Sequence, residues 1–104
     1  MHRMTILYGT PTDMDEFRRY YYDTHIPIAR RMKGLTGWSL SWIEQDPAAP
    51  TGYVLVAELF AESAEAMTAI LNSPEGLAAS ADLDNFVTGT VEFLSGTEEQ
   101  VELA

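Results

Sequence analysis

The chain has 104 residues, a single domain's worth with no room for a second core. Apolar residues make up 46% and charged residues 21%, and the absence of cysteine excludes disulfides, thiolate metal sites and a cysteine nucleophile. The formal net charge of −10 argues against nucleic acid as a partner, because gripping phosphates needs Lys and Arg.

All six basic residues fall within residues 1–33, beside four acids, so that segment is net +2. The remainder carries twelve acids and no base. The plainer reading is a well-solvated surface; the sharper one is a cationic helix facing an acidic partner or second subunit. No stretch approaches the ~20 apolar residues of a membrane span. The N-terminus lacks the apolar run of a signal peptide, so a soluble, cytoplasmic protein is expected.

In chain order, Met4, Ile6 and Tyr8 alternate as a short strand, and Gly9–Thr12 is a turn. Asp13 with Glu16 three residues on predicts a helix start. Phe17, Tyr21 and His25 continue a stripe from Met14 towards Ile28 and Met32, with Arg19, Asp23 and Arg30 opposite. Pro27 lacks the helical donor, so a break is expected there, with Asp23 or Thr24 capping a second short helix. Trp38, Leu40 and Trp42 alternate with serines, the clearest strand in the chain. Residues 46–52 read as a loop, and Tyr53–Phe60 as a central strand buried on both faces.

Ser63 caps a helix through about Leu71 carrying Met67, Ile70 and Leu71 inward. Ser73-Pro74 opens another, with Leu77, Ala78 and Ala81 inward, followed by Leu83 to Phe86. Val87–Leu94 is the last strand. Residues 1–96 form the domain, and residues 97–104 an acidic tail with the alternation of an added edge strand. The order of elements predicts an α+β, ferredoxin-like βαββαβ sandwich with an antiparallel sheet and helices on one face. Both sides of Tyr53–Phe60 are apolar, so the other sheet face is expected to meet a second copy.

Asp15-Glu16-Phe17-Arg18-Arg19-Tyr20-Tyr21-Tyr22-Asp23-Thr24-His25-Ile26-Pro27-Ile28-Ala29-Arg30, leading into Lys33-Gly34-Leu35, resembles the EthD family of the dimeric α/β-barrel superfamily. Ser73-Pro74-Glu75-Gly76 through Asn85-Phe86-Val87 is a second, weaker match, and the likeness spans nearly the whole chain. The resemblance implies a homodimer whose two sheets close a barrel. It also implies a small-molecule pocket between sheet and helices, and a part in degrading alkyl ethers such as ethyl tert-butyl ether beside a cytochrome P450 system. Superfamily relatives include cofactor-free monooxygenases, lactone isomerases and polyketide cyclases.

His25 is the candidate catalytic residue. Near a helix start its imidazole would stay neutral and could serve as a base. The alternative is a structural histidine bonded to backbone at the kink. Phe17, Tyr21, Trp38 and Phe86 are the candidate walls of an apolar substrate pocket, or plain core. Asp82 and Asp84, beside Asn85, read as a solvated helix end. No metal site, Gly-rich phosphate loop or nucleophile elbow is present, and no cofactor is expected. Two functions follow. One is a cofactor-independent isomerase, cyclase or monooxygenase-like enzyme acting on a small apolar molecule. The other is a non-catalytic homodimer that sequesters a product of an oxygenase pathway.

Overall fold

The Trp38–Leu40–Trp42 alternation and the apolar run from Tyr53 end up side by side in one sheet. The computed structural model describes residues 1–104. Its strands are β1 (His2–Gly9), β2 (Gly37–Trp42), β3 (Tyr53–Ala61) and β4 (Val91–Thr97), arranged β2-β3-β1-β4. Helices α1 (Met14–Tyr20), α2 (Ile26–Ala29), α3 (Ala64–Asn72) and α4 (Pro74–Phe86) make the connections. Every strand pairing is antiparallel. This is the expected ferredoxin-like α+β fold. Within one chain the sheet is open, with β2 and β4 as its edges.

Register decides which side chains meet the helices. Met4, Ile6 and Tyr8 lie opposite Leu59, Ala57 and Leu55, and the same three β3 residues lie opposite Trp38, Leu40 and Trp42. That face packs on Phe17 and Tyr21 towards one end and on Ala29, Met32, Met67, Ile70 and Ala79 towards the other. Leu7, Val56, Phe60 and Leu94 occupy the opposite parity, together with an Arg3–Glu58 ion pair at 3.1 Å. Residues 98–104 form no helix or strand, although Glu98 bonds to both Met1 and Arg3.

The helix starts follow from their caps. The side chains of Asp13, Ser63 and Ser73 accept from the backbone N–H groups of Glu16, Ala66 and Gly76 at 3.0–3.1 Å. Gly76 has a steric reason as well: a Cβ there would sit 2.3 Å from the Ile70 carbonyl oxygen, across the α3–α4 corner.

Several expectations fail. Pro27 does not break the first helix, and neither Asp23 nor Thr24 caps a new one. Helical backbone runs from Met14 to Ala29, with a π turn over Tyr21–His25 where the Ile26 N–H donates to the Tyr21 carbonyl, five residues back. The widened turn accommodates the donor that Pro27 lacks, and it inserts extra arc into the helix. The buried stripe therefore continues through Ala29 rather than Ile28. In α4 the inward face is Gly76, Ala79, Asp82 and Phe86, whereas Leu77, Ala78 and Ala81 are exposed. Val87 closes α4 by donating to Leu83 at 2.9 Å, so β4 begins only at Val91.

Candidate functional site

The π turn and the inward phase of α4 bring two polar side chains together inside the apolar layer. His25 is 5% exposed and Asp82 4%. His25 Nδ1 lies 2.9 Å from Asp82 Oδ2. Asp82 Oδ1 accepts from the Tyr20 hydroxyl at 2.7 Å and from Asn85 Nδ2 at 3.0 Å. Burial alone would push the Asp82 carboxyl up, but the bonds from Asn85, Tyr20 and His25 together outweigh it and hold its pKa below the ordinary value. Burial holds the His25 pKa below the usual histidine value, against the opposing pull of Asp82. At neutral pH the pair is thus an aspartate and a neutral imidazole with its proton on Nδ1. The neutrality expected of His25 comes from burial, not from a helix terminus, since His25 sits inside a continuous helical run.

With Nδ1 committed to Asp82, Nε2 is the nitrogen left to face the cavity that His25 lines. The cavity measures about 350 Å³ and lies between the sheet and helices α2, α3 and α4. Its walls include Met4, Ile6, Ala29, Met32, Leu59 and Ala79; its rim includes Leu77, at 56% exposed, and Phe93, at 50%. Besides His25, the lining residues that carry polar side-chain atoms are Tyr8, Tyr21, Trp38, Asn72 and Ser80. The Tyr8 hydroxyl and the Trp38 indole N–H are buried without a hydrogen-bond partner. Both lie near the Tyr21 hydroxyl, whose pKa burial pushes up and these two donors draw part of the way back. Trp42, by contrast, donates to Tyr22 at 2.8 Å.

Of the residues singled out in the sequence, His25, Tyr21 and Trp38 meet in this cavity. Phe17 and Phe86 do not line it. They pack behind it with Tyr8 and Tyr21, at ring-centroid distances of 5.4–6.2 Å. Phe86 backs the His25 ring at 4.8 Å, so its part is to hold the imidazole in place. Asp82 and Tyr8 are the residues that sequence reasoning missed. Stepping back from Phe86 by four and then by three would have found Asp82 and Ala79 on one helix face.

An unprotonated imidazole nitrogen fixed by a buried carboxylate is a general base. Hydroxyl and indole donors beside it can hold an oxygen. No three His, Asp or Glu side chains are grouped to hold a metal ion. No helix is long and apolar enough to cross a membrane.

The EthD domain model matches residues 10–90. A Rhodococcus erythropolis protein described as an uncharacterized 11.0 kDa protein in the thcB–thcC intergenic region is 34% identical over 102 residues, covering 97% of this chain and 98% of its own. The crystal structure of an ethyl tert-butyl ether d (EthD) family protein from Bacillus halodurans superposes with a TM-score of 0.88 at 25% identity, over 95% of this chain and 99% of that one. A hydroxynitrile lyase from Passiflora edulis is similar in fold, with a TM-score of 0.72 at 12% identity over 98% of this chain and 96% of its own.

Proposed function

The chain belongs to the EthD family, and from that premise we propose that it is a cofactor-independent enzyme of organic-compound catabolism. It binds a small, mostly apolar molecule in the sheet–helix cavity and moves a proton on it with His25. The observation that carries this reading is that an Asp82-held imidazole and Tyr21 line the same cavity. A base alone would need no second polar group. A binding pocket alone would need no buried carboxylate behind its histidine. Proton transfer of this kind suits an isomerisation or a cyclisation.

The same proposal places the chain in the cytoplasm, as a homodimer joined through the open sheet face around Leu7, Val56, Phe60 and Leu94. It also sets the chain beside an oxygenase system in alkyl-ether breakdown, as the family resemblance implies. A second reading is an accessory protein that receives and passes on an oxygenase product. The apolar, half-open rim at Leu77 and Phe93 favours it.

Complementation separates the two. Deletion of the gene in its own host should abolish growth on an alkyl ether, and the wild-type chain should restore it. Failure of a folded His25→Ala variant to restore growth is the expected result. Full growth with that variant would remove the enzyme and leave the carrier.

A further inference from the structure

We propose that the cavity's ligand is an enolisable carbonyl compound, a small apolar skeleton with one ketone or aldehyde oxygen. This rests on the reading that the cavity is the functional site and His25 the proton carrier. It adds what the ligand must be.

Buried donors are nearly always satisfied, and an exception calls for an explanation. Here two exceptions, the Tyr8 hydroxyl and the Trp38 N–H, belong to residues that line one cavity together with Tyr21. A cluster that can donate three times is suited to an oxygen that only accepts. Beside it, the Nε2 of His25 can only accept a proton while Nδ1 is held by Asp82.

The ligand must therefore present an accepting oxygen and, next to it, an acidic proton. No charged side chain lines the cavity, and Asp82 stands just behind His25, so a carboxylate or phosphate has no counter-charge there. An amine sets donors against donors and leaves the cluster unused. A simple ether satisfies the donors and offers Nε2 nothing. A carbonyl compound with an α C–H satisfies both. The cavity of about 350 Å³ corresponds to about a dozen liquid waters at ~30 Å³ each, the size of a one- or two-ring molecule.

The step balances without an oxidant. Nε2 takes the α proton, the C–H pair becomes the new C=C bond, and the carbonyl π pair moves onto oxygen. There the donors of Tyr21, Tyr8 and Trp38 meet the growing charge. The imidazolium, steadied by Asp82, returns its proton to carbon. In a breakdown sequence the chain then stands after the reaction that makes a carbonyl, not at the ether itself.

The probe is 2-tetralone, with tetralin as its oxygen-free counterpart, titrated against tryptophan fluorescence of the full chain. Wild type should bind 2-tetralone at least about tenfold more tightly than tetralin, the value of one well-made hydrogen bond. The bound carbonyl stretch should move to lower frequency. In D₂O the α protons should exchange about 10²–10⁴-fold faster than in buffer. Tyr21→Phe should abolish the preference for the ketone. His25→Gln should abolish exchange while binding persists. Equal binding of the two probes, or an unshifted carbonyl stretch, overturns the oxygen grip and leaves the cavity reading intact. Selective binding without exchange overturns the enolisation. Binding of neither probe overturns both this inference and the function it rests on. The vibrational readout uses wild type alone, so it stands even where Tyr21→Phe does not fold.

Discussion

Replacing Asp82 by asparagine should reverse the histidine that the site depends on. Tyr20 and Asn85 both donate to Oδ1, so in Asp82→Asn that position must remain the carbonyl oxygen. The new NH₂ group then falls where Oδ2 was, 2.9 Å from His25 Nδ1, and turns that nitrogen into an acceptor. The imidazole proton moves to Nε2, and the cavity loses its base and gains a donor. A wrong-tautomer imidazole costs about 10⁴ in rate in the serine-protease triad, and a loss of that order is expected for proton abstraction here. Stability changes less. Charge-assisted bonds from three partners become neutral, at about 1 kcal/mol each, and the relief of no longer burying a charge offsets part of that. A net loss of about 1–2 kcal/mol is expected, or about 5–10 °C in Tm. Long-range ¹⁵N–¹H correlation of the His25 ring reads the tautomer directly. Wild type should show an unprotonated Nε2 and the variant an unprotonated Nδ1. An Nε2 that stays unprotonated in the folded variant would refute the reasoning.

Stability should also depend on pH through the same pair. The folded pKa of His25 lies below its ordinary 6.5, so its contribution is complete above that value and is lost as pH falls from there through the folded pKa. Asp82, held below its ordinary 3.8, adds a second loss only at more acid pH. Melts across this range should show the upper step vanish in His25→Gln; an unchanged profile would count against a buried neutral histidine. Gly76→Ala should cost about 1–3 kcal/mol in urea unfolding, because its methyl group has no room against the Ile70 carbonyl; a neutral outcome would mean the α3–α4 corner yields freely. Phe60→Glu, on the open sheet face, should reduce the sedimentation mass from two chains to one; an unaltered dimer would place the interface elsewhere.

Much of the fold was legible because local chemistry and period agreed. Asp13, Ser63 and Ser73-Pro74 marked helix starts that the structure uses, and the Trp38–Trp42 alternation marked β2. The π turn was not legible. Proline argues for a break, and only packing against the sheet shows that a widened turn keeps Tyr21, His25 and Ala29 all inward. Nor was the phase of α4, where Ala78, Ala79 and Ala81 offer little contrast in hydrophobicity to fix which side is buried. That weakness hid Asp82, whose partner stands 57 residues away. Phe17 and Phe86 were rightly read as inward. Facing inward does not separate a residue that lines a cavity from one that supports it, and both belong to the support.

The most direct test of the account is a crystal structure of the full chain grown with 2-tetralone. The molecule should lie between sheet and helices, its oxygen about 2.6–3.2 Å from the Tyr21 hydroxyl and its α carbon against His25 Nε2. A cavity closed by its own side chains, or a probe seated with its oxygen away from Tyr21 and His25, would contradict it.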